Sequence, residues 1–406
     1  MIESGLLREA IDRYELSGPL PQVAIPSTLH ASLIARLDRL ASVKDVAQIA
    51  AVIGREFSYS LLAAVSALSE PNLQSALSQL VDAGLIFQRG VTPHATYQFK
   101  HVLVQDATYA SLLKSRRQAL HATIAMVLEE RFPEFGTTVP ERLAHHYTQA
   151  GLAEPAVKYW RRAGALAVLR SAIFEAAAHH GHGLEELVNL PNDRNRQQTE
   201  IELRLALAGA LTTTKGQAAL EVLREYERAQ ELAQKINDQG SLIRAMFGIW
   251  RFHHYRDNQS VAVPVVRDLL KAAETHRDVA GRWIGHYCIG QSCFQAGALD
   301  TATEHFRNAL ALDDLEQARI VCHSTTGADL GVLVLNYFCR TLAVLGVPHQ
   351  ARSLRNELLV RGRALGHAPS HATSCFGAFI TSVLIGDKAG QTGAVEALYN
   401  ILAEAR

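Results

Sequence analysis

The residues best suited to chemistry are histidines and cysteines. His179-His180-Gly181-His182 offers several imidazoles within one turn of chain, the kind of cluster that can hold a divalent metal. Tetrahedral sites usually add a Cys or a carboxylate, and here only Glu175 and Glu185 are near in sequence. The blander account is a helix with two solvent-facing histidines. His145-His146 and His253-His254 are adjacent pairs. On a helix neighbours point about 100° apart, so neither pair shares a metal easily and packing roles are expected. Cys288 and Cys293 sit five apart on one predicted helix, which reads as small buried thiols, and Cys322, Cys339 and Cys375 have no evident partner.

Catalytic motifs are missing. No G-x-x-x-x-G-K-[ST] occurs, and Lys215-Gly216 and Asp387-Lys388 lack the glycine loop that cradles phosphates. G-x-G-x-x-G, G-x-S-x-G and H-E-x-x-H are also absent. No catalytic, cofactor-binding or metal-ligating residue is therefore assigned, and no cofactor is expected in this chain.

Composition narrows the class. Lys+Arg and Asp+Glu both number 40, so there is no basic excess of the kind nucleic-acid binders carry. Apolar residues make up 48% of the 406 residues, enough for packed cores and against disorder. Five scattered cysteines without a CxxC argue for a reducing compartment. The charged opening MIESGLLREAIDRYE has no signal-peptide core, and no apolar run spans a membrane. A cytoplasmic protein without membrane contact is expected.

The elements that must position these residues are mostly helices, rich in Ala and Leu. Residues 1–16 read as a short helix followed by an extended Arg13–Leu16. The prolines of SGPLPQVAIP make a linker, and Ser27 caps a helix through Leu40. Then come Val43–Ile53 closed by Gly54, a Ser58-capped helix to about Leu68, and Glu70–Ala83 with Pro71 in its first turn. Leu85–Arg89 and Thr96–Phe99 pair as strands across GVTPHA. Three helices and a hairpin are the order of a winged helix. Its third helix has no Lys or Arg and carries Glu70 and Asp82, which makes it a poor reader of DNA. The segments His101–Leu113 and Arg116–Arg131 follow as helices, and FPEFGTTVP breaks the pattern.

The rest repeats. Across His286–Asp314, Gly290, Cys293, Gly297, Ala302, Phe306 and Ala309 fall on tetratricopeptide (TPR) spacing, with His286 where Trp is preferred and Asp314 where Pro is. Gly290 and Ala302 let two helices approach, Gly297 turns the chain, and Phe306 fills the groove to the next pair. Leu143–Ala163 is a second copy through Tyr147, Gly151, Ala156, Trp160 and Ala163, and Gly346 and Ala351 mark a third. Worn copies are read around Ala176–Leu184, Tyr226–Leu232 and Arg244–Leu270. Such an array presents a surface to a protein or small-molecule ligand. Trp160, Phe306 and Tyr147 are expected in the core, and Phe252, Tyr255 and Trp283 are the aromatics placed on the binding face.

The segments IPSTLHASLIARLDRL, VAQIAAVIGREFSY, LVDAGLIFQRG, YQFKHVLVQDATYASLL and RRQALHATIAMVLEERFPE together resemble the region after the nucleotide-binding module in bacterial STAND-type, AAA-like signalling ATPases. Class III adenylate/guanylate cyclases built as cyclase, ATPase, winged helix and TPR array are the most similar. LAHHYTQAGLAEPAVKYWRRAG and LGVPHQARSLRNELLVRGRALGHAPSHA resemble their repeats. The resemblance implies a mainly α chain with three parts. Residues 1–26 would be the end of an ATPase module and a linker, with Leu6-Leu7 and Tyr14 closing that module. Residues 27–131 would be a winged-helix-like domain with flanking helices, and 141–406 a TPR-like array, incomplete at its end and so with an exposed apolar end. It implies a regulatory and sensor region lacking the cyclase and P-loop domains, whether from a truncated gene, a split gene or a fragmentary gene model. Its partner would be an ATPase/cyclase module in cis or trans. The competing reading is a fragment of an ATP-responsive transcriptional regulator.

Overall fold

The computed structural model describes residues 7–9, 14–16, 43–312 and 329–404. The helix expected at Ser27–Leu40, the proline linker, Asp314 and Cys322 lie outside them. The chain divides into two compact units, Met1–Ala163 and Gly164–Arg406.

In the first unit, β1 (Leu7–Glu9) pairs antiparallel with β2 (Tyr14–Leu16), Leu7 opposite Leu16. The short helix expected there is replaced by strand pairing. A helix of that length is marginal on its own, whereas two strands satisfy each other's backbone groups. The core of the unit is built on α1 (Lys44–Ile53), whose Val46, Ala47, Ile49, Ala50, Val52 and Ile53 are all buried. Strand β3 (Glu56–Ser58) follows, then α2 (Tyr59–Val65), where Ser58 Oγ accepts from the Leu61 amide. Helix α3 (Glu70–Asp82) starts at Pro71, and β4 (Ile86–Arg89) and β5 (Thr96–Phe99) form the hairpin. The sheet order is β3-β5-β4, all antiparallel. A three-residue strand is too short to show periodicity, so β3 is invisible in the sequence. It is held because Phe57 stacks on Tyr97 at 5.7 Å and packs near Phe99.

Helices α4 (Val102–Ala110), α5 (Lys114–Arg131), α6 (Phe135–Thr138), α7 (Pro140–Ala150) and α8 (Ala153–Leu169) complete this part. The pair α7 and α8 is the repeat read at Leu143–Ala163, turned at Gly151 in the left-handed region. Its Leu143, Tyr147, Ala156 and Trp160 join the core of the first unit, and the division falls inside α8.

The second unit is a stack of helical hairpins: α9 (Ile173–Leu187), α10 (Arg194–Lys215), α11 (Leu220–Ile236), α12 (Gln239–Tyr255), α13 (Gln259–Thr275), α14 (Val279–Gln295), α15 (Leu299–Leu310), α16 (Leu330–Val344), α17 (Pro348–Ala364), α18 (Ala368–Leu384) and α19 (Lys388–Glu404). Each helix packs on the next, and α10, α12, α14, α16 and α18 also touch in sequence, forming an inner row. This is a TPR-like helical repeat. Among the described residues no helix is long and apolar enough to cross a membrane.

One register holds from repeat to repeat. Each inner helix from α12 on hands over to its partner through a turn whose middle residue is left-handed: Asp257, Gly297, Gly346 and Gly386. Five positions later stand Ala262, Ala302 and Ala351, all fully buried, where the hairpin closes most tightly. Gly290 shows why size matters there: a Cβ on it would lie 2.6 Å from Phe306 Cε1. Inner helices α12, α14 and α16 are started by aspartates. Asp238 accepts from Ser241 N, Asp278 from Gly281 N and Asp329 from Val332 N, each replacing a missing helical bond. Asp329 also takes two bonds from Arg361, at 2.7 and 3.1 Å, tying α16 to α17.

Candidate functional site

A cavity of about 290 Å³ lies where the inner helices α12, α14 and α16 end. His254, Tyr255 and Asp257 come from the end of α12 and its turn, Gln291, Phe294 and Gln295 from α14, and Tyr337 and Arg340 from α16. The repeat register places them. Arg251, Gln291 and Arg340 each precede their turn residue by six positions and so recur on one side of the inner row.

The floor is polar but tightly packed. Gln291 is 2% exposed, and its Nε2 donates to the Tyr337 hydroxyl at 2.7 Å. Its Oε1 is buried with no partner among the described residues. Turning the amide over would leave the nitrogen unpaired instead, so one polar atom stays unspent in either orientation. The Arg340 guanidinium lies over Tyr337 at 4.9 Å and over Phe294 at 5.6 Å. Burial pushes the Tyr337 hydroxyl pKa up and pushes His254 down to about 4, so both are neutral at pH 7. His254 stacks on Trp250 at 4.8 Å, and Trp250 Nε1 donates to Ser292 Oγ. At the rim Gln295 Nε2 donates to Asp257 Oδ1 at 3.4 Å. Arg340 and Asp257 are thus the charged groups on this cavity, and neither has an ion-pair partner among the described residues.

A larger groove, about 740 Å³, runs over α17 to α19. Arg363, His367, His371 and Glu396 edge it, but much of its wall is Gly366, Ala368, Gly393 and Ala397, and it has no aromatic surface.

The residues singled out in the sequence fare differently. Tyr255 is exposed and lines the cavity, as placed, but Phe252 (3% exposed) and Trp283 (0%) are core residues, a correction to their placement on the binding face. The reason is helical phase: both point into the contacts between neighbouring helices. Trp160, Phe306 and Tyr147 are buried, as expected. His179-His180-Gly181-His182 lies on α9. His180 is buried, not solvent-facing, with its ring against Gly164, whose added Cβ would lie 2.3 Å from His180 Cε1. His182 meets Glu185 at 3.1 Å. Among the described residues no three or more His, Cys, Asp or Glu side chains group as metal ligands. Cys288, Cys339 and Cys375 are buried thiols and Cys293 is half-buried.

Two histidine pairs that adjacency in sequence does not show are formed in space. His121 Nδ1 and His146 Nδ1 are 2.8 Å apart, with the Tyr109 hydroxyl 3.0 Å from His121 Nε2. His286, at the position of the TPR tryptophan, pairs with His305 at 2.9 Å.

No family model matches the chain. An uncharacterised protein of Rhizobium meliloti (strain 1021) is 26% identical over 352 residues, which is 86% of this chain and 34% of that protein. The chain thus spans about a third of the length of the curated relative it matches. Among solved structures, aspartyl phosphate phosphatase F from Bacillus subtilis superposes with a TM-score of 0.51 at 11% identity, over 96% of this chain and 86% of that one. That likeness is one of fold. A Rap protein complexed with competence and sporulation factor gives 0.48 at 11% identity over 93% of this chain and 89% of that one. A signal transduction ATPase with numerous domains and a tetratricopeptide repeat sensor, from Pyrococcus horikoshii, gives 0.45 at 11% identity over 90% and 64%.

Proposed function

We propose that this chain is the regulatory and sensor region of a STAND-type signalling ATPase, in which the TPR-like array takes up a ligand or partner and the first unit passes that event to an ATPase module. The observation that carries the reading is the cavity at the turn ends of three successive inner helices, lined by aromatic rings, a buried amide and two charged groups without ion-pair partners among the described residues. The first unit reads as winged-helix-like. Its order α1-β3-α2-α3-β4-β5 and its central β5 support that reading. The exposed row of α3 is Asn72, Gln74, Ser75, Ser78 and Gln79 between Glu70 and Asp82, without a cation for phosphate, so this helix gives no support to the transcriptional-regulator alternative. The length of the R. meliloti relative supports a setting in which units of this kind stand beside further domains. The sequence resemblance makes those domains an ATPase and a nucleotide cyclase.

Two experiments test this. The full chain is panned against displayed 12-residue peptides and screened against small metabolites by thermal shift. A folded chain that takes neither would end the sensor reading. Separately, the DNA 5′ of the Met1 codon is sequenced and the native protein sized by immunoblot. An in-frame P-loop and cyclase region with a larger band supports the module in cis, while a stop codon with a band near 44 kDa excludes it.

A further inference from the structure

The cavity at the ends of α12, α14 and α16 has a charge pattern that narrows what fits. Arg340 has spent its flat faces on Phe294 and Tyr337, and the Tyr337 hydroxyl is within its reach. Its in-plane donors meet no carboxylate among the described residues, and its Nε is buried without a partner. A guanidinium held by stacking on two rings, with the Tyr337 hydroxyl beside it and no carboxylate among the described residues, is preorganised to take one. Asp257 brings the opposite charge to the same cavity. It accepts only a long bond from Gln295 and forms no ion pair with Arg340. The rings of Tyr255, Phe294 and Tyr337 and the neutral imidazole of His254 line the same cavity. About 290 Å³ is at the small end of ligand pockets.

We propose that this cavity binds a small zwitterion, an amino acid or a dipeptide, with its carboxylate on Arg340, its ammonium on Asp257 and its apolar part against the aromatic wall. The proposal rests on the sensor reading and deepens it. Free amino acids and dipeptides share the recognised chemistry and differ in span, so titration with each separates them.

The test uses the full chain and the fluorescence of Trp250, which stacks on the cavity residue His254. The probes are the common L-amino acids one at a time, then apolar dipeptides, each beside its N-acetylated and its C-amidated form. The expected result is a saturable change with at least one zwitterion, lost on blocking either end. Arg340→Gln and Asp257→Asn each weaken it at least tenfold, Arg340→Lys restores part of it, and Lys271→Gln, exposed on α13, leaves it unchanged. Circular dichroism confirms that each variant is folded. No saturable response up to 10 mM in the folded wild type would overturn the proposal, as would binding indifferent to end-blocking or to both cavity variants. If displayed peptides bind the array while these probes do not, the sensor reading stands and this assignment falls.

Discussion

Lowering the pH from 7 to 5 should destabilise the first unit through one histidine pair. His121 is 1% exposed and His146 3%, and they face each other at 2.8 Å between α5 and α7. Burial, then the neighbouring charges of His145 and Arg117, holds His121 down at about 4, and burial holds His146 well below the usual imidazole range. Arg142 adds to the positive potential on His146. The sign follows from linkage. The unfolded chain takes up protons near pH 6.5 and the folded chain does not, so stability is complete above about 6.5 and falls as pH drops toward 4. For His121 alone the shift amounts to about 2 kcal/mol between pH 7 and pH 5. The two rings share one hydrogen bond, so the second proton is resisted more than the first and the pair titrates as a unit.

The assay is urea unfolding at pH 7 and pH 5, read by Trp160, the one tryptophan of the first 163 residues, in a background with Trp250→Phe and Trp283→Phe. His121→Asn with His146→Asn keeps an amide near both bonded Nδ1 positions but cannot titrate. The wild-type pair should lose at least about 2 kcal/mol more than this variant between the two pH values, His146 adding to the His121 share. Equal losses would refute the reasoning, as would an NMR titration placing His121 near 6.5.

Other expectations concern the second unit. Arg361→Ala should cost about 3 kcal/mol in urea unfolding, because it removes two charge-assisted bonds to Asp329, whose side chain is 8% exposed. Gly290→Ala should cost about 2 kcal/mol, since the new methyl meets the ring of Phe306, itself locked in the core, and a loss under 0.5 kcal/mol would show that the ring gives way. Arg277 sits at φ +54°, so Arg277→Gly should raise the thermal midpoint, by about 0.5–1 kcal/mol in stability.

Much of the architecture was legible because it obeys a register. Gly297, Gly346 and Gly151 mark their turns by residue type, and Ala302, Ala351 and Ala156 mark the closest helix contacts five positions on. Where the turn residue is Asp257, Arg277 or Asn237 the same left-handed geometry is present but the sequence does not announce it. The copies around Tyr226–Leu232 and Arg244–Leu270 therefore look worn although their helices are regular. Histidine pairing was illegible for another reason. His121 and His146 lie 25 residues apart, on helices brought together by Leu128, Ile124, Leu143 and Ala144.

The cavity shows how the register separates fold from binding. Nine positions after the turn stand Val266, Phe306 and Arg355. The first two are fully buried apolar side chains, and Arg355, nearly as buried, keeps the contact by bonding Ser382 and Asp387. A packing position therefore tolerates a change of chemistry only when a neighbour supplies the missing partner. Six positions before the turn the rule differs. Arg251 finds Tyr226 and Thr212, yet Gln291 keeps an unpaired amide atom and Arg340 an uncompensated charge. Burying a polar atom without a partner costs about 1–3 kcal/mol, so each of these two adjacent repeats gives up stability at this position. That cost falls where three helices end around one cavity, beside Asp257, which has no ion-pair partner among the described residues, and a ligand supplying both a carboxylate and an ammonium would offset it.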